Sequence, residues 1–236
     1  MILETFGNAE TVRSYNSSRF GKYVEVTLSA GLVVGSTITS YLLEKTRVVS
    51  QSLDERNYHS FYQLMCGHAE ALAEAPRLEE GCDAEAAAAA SFDFAKYIPA
   101  PDQVESFKFI SNGMRKVPGV DDGADLTGLL KALRIFMPES TIRQALRLLV
   151  AILHIGALPV IEDPNGQPTV TGPSATIEDG PELEAVAALL GVEKETITFA
   201  LCNRQIQTGS RASIAVKQLG EAPVRSLLRG LSSACA

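Results

Sequence analysis

The sequence predicts an α/β fold rich in helix, with a short β-hairpin and strands near the start and a mainly helical remainder. Three observations lead there. Lys22-Tyr-Val-Glu-Val-Thr-Leu28 alternates with a period of two, Ala30-Gly31 marks a turn, and Val33 to Leu43 is rich in β-branched side chains, which together predict a hairpin. From Glu55 onward, apolar residues recur three and four positions apart, the spacing of helices that bury one face. No repeat or Pro/Ser-rich linker divides the 236 residues, and a content of 46% hydrophobic and 21% charged residues suffices to bury a core, so one unit is expected.

Taken in order, Ile2 to Asn8 reads as the tail of a helix without a capping residue. The polar stretch from Arg13 to Lys22 reads as a loop leading into the hairpin, and Val48-Val49-Ser50 as a short third strand. Tyr58, Phe61, Tyr62 and Met65 share one face of a helix over 55–66, with Gly67 placed to end it. The alanine-rich tract Ala84 to Ala90 has high helix propensity but little to bury. Leu126 to Phe136 and Thr141 to Ile155 predict two packed helices, with Pro138 suited to a first turn. Asp163 to Gly180, rich in Pro, Gly, Thr and Ser, reads as an exposed loop. Pro181 then begins a helix that Gly191 stops, Glu193 to Asn203 forms another, and Gln205 to Val216 is an extended loop or hairpin.

A formal charge of -7 argues against broad nucleic-acid binding, which needs dense Lys and Arg patches. No apolar run reaches the roughly 18 to 20 residues of a membrane span, and the opening MILETFGNAET lacks a secretory pattern, so a cytoplasmic location is the expectation. Cys66, Cys82, Cys202 and Cys235 form no CxxC pair and read as free thiols. His59 and His154 lie among apolar neighbours and are expected to pack rather than to carry chemistry.

The stretch RSYNSSRFGK, residues 13–22, holds three serines, an asparagine and three cations. Serine hydroxyls can ligate Mg²⁺, small polar residues can present N–H groups to phosphate oxygens, and arginine can fork onto a carboxylate or phosphate. The competing reading is a loop that merely turns the chain while Arg19 and Lys22 face water.

The succession ILETFGNAETVRSYNSSRFGKYVEV, YLLEKTRVVSQ and ERNYHSFYQL resembles the switch I region of the myosin motor domain. VDDGADLTGLLKAL, ILHIGALPV, LLGV and ALCNRQI look like successive pieces of the same motor's upper subdomain, so the resemblance covers nearly the whole chain. A kinesin loop shares the two serines and arginine, but Phe20-Gly21-Lys22 is the myosin form. The resemblance implies part of a P-loop NTPase motor fold, with the switch I loop and core-sheet strands over 1–50 and a mainly helical upper subdomain over 51–236. It implies an actin-dependent ATPase that uses ATP and Mg²⁺, works on the actin filament with the remainder of a heavy chain, and belongs to the cytoskeleton.

By that resemblance Ser17 would approach the γ-phosphate and attacking water, Ser18 would ligate Mg²⁺, Asn16 would shape the loop, and Arg19 would pair with a switch II glutamate on closure. Ser14 stands where the family usually has an asparagine that reaches the nucleotide phosphates, and Glu10 where it usually has lysine. Glu10 is expected to point into solvent. No GxxxxGK[ST] phosphate loop and no DxxGFE-like switch II segment occur, so this stretch alone is expected to be inactive, with Arg19 lacking its partner and the sheet exposing unpaired edges and apolar surface. The 163–180 loop and the Asn203 to Gln218 segment would approach actin, where Arg204, Arg211 and Lys217 suit an acidic surface and Glu162, Asp163, Glu178 and Asp179 oppose it. The alternative is a standalone, non-catalytic module that contacts actin or another protein.

Overall fold

The computed structural model describes residues 1–66, 93, 95–98, 107–111, 117–167, 169, 172–208 and 213–235. Gly67, the alanine tract at 84–90, Cys82, Arg211 and the Cys235 side chain lie outside the described residues.

The N-terminal part is built from α1 (Ile2–Gly7), β1 (Asn8–Thr11), β2 (Ser14–Ser18), β3 (Gly21–Ser29) and β4 (Leu32–Tyr41). β1 and β2 form one antiparallel pair, β3 and β4 another. The stretch expected as a polar loop is therefore largely a strand. The reason is long-range: Ala9 has no exposed surface and sits between Ser17 on one side and Tyr58 on the other, so β1 has partners along both edges.

The β3–β4 hairpin follows the sequence reading, with Ala30 and Gly31 at φ 50° and 78°, the left-handed pair of a type I′ turn. Both its faces are exposed, and it carries Tyr23, Val24, Val26, Leu32, Val33, Val34 and Ile38 in the open. Apolar surface is thus concentrated on this ribbon, as the sequence leads one to expect.

Val48 does not begin a third strand. Lys45–Val48 is a turn of 3₁₀ helix that buries Val48 in the core. α2 spans His59–Cys66 and starts four residues later than its periodicity suggests, because residues 55–58 run extended: Arg56 N–H donates to the Glu10 carbonyl, and Tyr58 bridges Ala9.

The helical part comprises α3 (Asp122–Phe136), α4 (Glu139–Ala157), α5 (Pro181–Leu190), α6 (Lys194–Cys202) and α7 (Glu221–Cys235). Asp121 caps α3 by accepting from the Gly123 and Ala124 amides at 3.1 and 3.0 Å, which starts the helix four residues before its apolar stripe. Pro138 occupies the N-cap of α4 rather than its first turn. α5 begins at Pro181 and ends at Gly191, whose φ of 68° a side chain would strain.

The 19-residue helix α4 is the spine of the molecule. Ile142, Leu146 and Val150 pack with α3 and α5, Ile152 and Leu153 with α2, and Ile155 with α6 and α7. Because all three clusters meet on it, Val150 to Ile155 is buried on every side. A stripe this broad exceeds the one-sided pattern of a surface helix.

Two short strands, β5 (Val160–Glu162) and β6 (Ala175–Ile177), bracket the region expected as an exposed loop. Ser174 to Ile177 is not exposed, while Glu178 and Asp179 are. Ala175 and Ile177 enter the core beside Leu183 and Ile197, an alternation too short to read in sequence. β7 (Asn203–Thr208) and β8 (Ser213–Gln218) form the anticipated hairpin.

Candidate functional site

Strand alternation divides the predicted residues between two faces of β2. On one face, Asn16 turns toward β1 and α2. Its Oδ1 accepts from Asn8 Nδ2 at 2.9 Å and lies 3.1 Å from His59 Nε2. Since Oδ1 already receives one donor and has no proton to give, Nε2 is the nitrogen that carries the hydrogen. Burial, reinforced by the positive charge of Arg56, pushes His59 down to about 4, so it is neutral near pH 7. His59 thus packs as expected but also braces the site strand, a role its apolar neighbours in sequence hide.

On the other face, Arg19 Nη1 donates to Ser17 Oγ at 3.2 Å. Ser18, which alternation puts back on the Asn16 face, is exposed, and its hydroxyl makes no hydrogen bond among the described residues. Ser14 accepts from the Asn16 amide at 3.2 Å and so supports the turn that joins β1 to β2.

Arg19 does not lack a partner. Its Nε donates to Glu44 Oε2 at 2.7 Å, and its carbonyl accepts from the Glu44 amide at 2.9 Å. The same Oε2 accepts from Arg47 Nε at 2.7 Å, and Arg47 in turn donates to Glu55 at 2.9 Å and to the Arg56 carbonyl at 3.0 Å. Burial pushes the Glu44 carboxyl up, but the hydrogen bonds and charges of the two arginines outweigh this and hold it below the ordinary carboxylate value. Tyr58 closes the group by donating to the Glu44 carbonyl at 2.8 Å. Burial, with the negative charge of Glu44, pushes its phenol up to about 12.

Glu10 corrects a second expectation. It is 8% exposed and turned inward, near the charges of Arg56 and Asp122. Arg56, with no exposed surface, donates to Asp122 at 2.8 Å and lies over the Tyr62 ring, while Glu10 Oε2 has no hydrogen-bond partner among the described residues. Burial and Asp122 raise the Glu10 carboxyl above its usual value despite the opposing pull of Arg56.

Ser17, Ser18 and Arg19 thus lie together at the end of β2, and Asn16 ties that strand to Asn8 and His59. The family model for the myosin head (motor domain) matches residues 1–227. The chain belongs to the myosin head family.

Relatives cover nearly all of it. The non-muscle myosin heavy chain of Drosophila melanogaster is 33% identical over 236 residues, 99% of this chain and 10% of its own length. Unconventional myosin-Ia of Mus musculus is 32% identical over 225 residues, 94% of this chain and 19% of that protein. Myosin-51 of Schizosaccharomyces pombe is 36% identical over 225 residues, again 94% of this chain and 13% of its own length. The chain therefore spans a tenth to a fifth of these myosins.

His154 Nδ1 lies 2.5 Å from Glu182 and Nε2 2.7 Å from the Tyr97 carbonyl, so it is a satisfied interior histidine with an acidic neighbour that only the fold supplies. Cys66, exposed, and Cys202, buried, are not in disulfides. No described helix is long and apolar enough to cross a membrane. Glu44 is the residue the sequence reading missed. Its only signal was a lone carboxylate in YLLEKTR, 25 residues from the arginine it holds.

Proposed function

We propose that this chain is the switch I-bearing part of a myosin motor, an actin-dependent, ATP-hydrolysing machine with a P-loop NTPase fold. In this reading residues 1–50 supply switch I and core-sheet strands, and 51–236 the upper subdomain. The supporting observation is the Ser17–Arg19 hydrogen bond on one face of β2, beside an uncommitted Ser18 hydroxyl. Phosphoryl transfer needs positioned charge more than a protein nucleophile, and this strand offers it.

Ser17 approaches the terminal phosphate and the attacking water, Ser14 and Asn16 support the phosphate-facing backbone, and Arg19 contributes the charge that closes the site. Ser18 would offer Mg²⁺ one hard hydroxyl oxygen, the other ligands coming from outside this stretch. When bound, Mg²⁺ neutralises charge on the phosphoryl oxygens. The phosphate-cradling loop and switch II belong to the rest of the heavy chain. The exposed apolar ribbon of β3 and β4 supports such a neighbour, since bare strand edges and apolar faces of this extent are normally covered.

At the other end, Arg204 and Lys217 face one another across the β7–β8 hairpin, both exposed. Like charges placed opposite on a sheet repel, which suits a surface that receives an acidic partner such as actin in the cytoskeleton. With Mg²⁺ present, this chain alone is expected to show no saturable ATP binding below millimolar concentration. In a complete motor, Ser18→Ala lowers Mg²⁺-dependent turnover, and Arg19→Ala blocks hydrolysis while sparing much of the nucleotide affinity. Normal turnover in both variants refutes the reading.

A further inference from the structure

Resting on the reading of Arg19 just given, we propose that Glu44 is the positioning residue for this arginine, with Arg47 as its permanent anchor. A guanidinium on a flexible stem is useful at a reacting phosphate only if its orientation is fixed beforehand. Glu44 fixes it twice, through Oε2 to Arg19 Nε at 2.7 Å and through its own amide to the Arg19 carbonyl at 2.9 Å. Ser17 takes Nη1, and Nη2 is left without a partner among the described residues. One donor edge of Arg19 is thus free to meet an incoming anion while the rest of the group is held.

The carboxylate is itself fixed from behind. Arg47 has a side chain 5% exposed and is bound at Nε by Glu44, at Nη2 by Glu55 and at Nη1 by the Arg56 carbonyl. Arg19 is 30% exposed and has no such cage. The two arginines share one oxygen, but only one of them can move. Glu44 Oε1 has no hydrogen-bond partner among the described residues, so the carboxylate keeps capacity for a shifting Arg19 without giving up Arg47. The chain Glu55, Arg47, Glu44, Arg19 therefore carries the rigidity of the segment before α2 to the end of β2.

The test is steady-state Mg²⁺-ATPase activity of the complete motor heavy chain that carries this stretch. Glu44→Gln is expected to lower kcat at least tenfold while KM moves less than threefold, because substrate binding is left in place and only the arginine is misaimed. Glu44→Asp keeps the charge but draws it back by one methylene, and its kcat is expected between the two. In an Arg19→Lys background, which keeps a charge but loses the Nε that Glu44 holds, Glu44→Gln is expected to cost less than threefold of the residual kcat. If Arg19→Ala abolishes turnover and both Glu44 variants retain full kcat, the positioning role is overturned and the switch I reading stands. If Arg19→Ala itself retains turnover, the reading falls and the inference with it. An equal loss from Glu44→Gln in the native and Arg19→Lys backgrounds shows that the carboxylate acts elsewhere and also overturns the proposal. Should Glu44→Gln not fold, the Asp variant alone, compared in the native and Arg19→Lys backgrounds, decides by the same criterion.

Discussion

His59 Nε2 lies 3.1 Å from Asn16 Oδ1, tying the first turn of α2 to the middle of β2. Because the asparagine oxygen also takes the Asn8 amide, only a hydrogen on Nε2 satisfies the contact. His59 Nδ1, buried and without a partner among the described residues, stays bare. Protonating that nitrogen places a charge where nothing receives it.

Acid should therefore loosen this brace before the carboxylates as a class are lost. A histidine held at about 4 binds fewer protons folded than unfolded, so its contribution to stability is intact above the unfolded value near 6.5 and falls as pH drops toward 4. The full span corresponds to roughly 3 kcal/mol. His59→Gln keeps a donor for Asn16 but does not titrate. The stability advantage of the native chain over this variant, measured by denaturant unfolding of the purified protein, should shrink between pH 6.5 and 4. A difference that stays flat with pH removes the brace from consideration.

Glu10 carries the opposite sign. Its carboxyl is raised by burial, so the folded state favours the protonated form, and the associated stability is present at low pH and declines as pH rises through the folded value. Replacing the charge with an amide, Glu10→Gln, should stabilise the chain at pH 7 by on the order of 1 kcal/mol, since one buried oxygen lacks a partner. The gain should vanish near pH 4. A variant less stable than the native chain at pH 7 would mean that Glu10 is paired with Arg56 after all.

Ser14 gives a prediction on affinity. Its hydroxyl accepts from the Asn16 amide 3.2 Å away and is too short to reach far beyond the turn. Restoring the longer carboxamide with Ser14→Asn adds a hydrogen bond to a charged group, about 1.5 to 3 kcal/mol. In a complete motor this should tighten nucleotide binding roughly tenfold to a hundredfold, read from fluorescent-nucleotide titration. Unchanged affinity would place the residue away from the phosphates.

What the sequence displayed and what it concealed divide along range. The Ala30-Gly31 turn and the Gly191 stop were legible because each is a local backbone demand met by the residue at that position. The long helices were legible because a burial stripe repeats over many residues. β1 was not, since Asn8-Ala-Glu-Thr carries no strand signal and becomes one only when Ser17 and Tyr58 arrive on either edge. Val48 looked like a strand residue by propensity, yet the core claims it from a 3₁₀ turn. Within the site, Ser14 through Arg19 stood out as a cluster, whereas Glu44, Arg47 and His59 reach it from 25 or more residues away. Glu10 misled because its charge suggested solvent, and charge says nothing about which side of a two-partner strand a residue faces.

Arg204 and Lys217 are register partners on β7 and β8, so the hairpin brings together two cations that a sequence separates by 13 positions. Their mutual repulsion is relieved when an acidic surface approaches, and screened when salt is raised. Arg204→Glu should relieve the repulsion internally and at the same time present an anion to the partner. The hairpin itself should therefore be no less stable, while binding to filamentous actin by a complete motor weakens several-fold at low salt and converges on the native value as ionic strength rises. Lys217→Glu should behave alike, and the double reversal should weaken binding further because no cation remains at that register. Co-sedimentation across a salt series measures all three. Equal affinity of the native and doubly reversed proteins at low ionic strength would exclude this hairpin from the actin-facing surface.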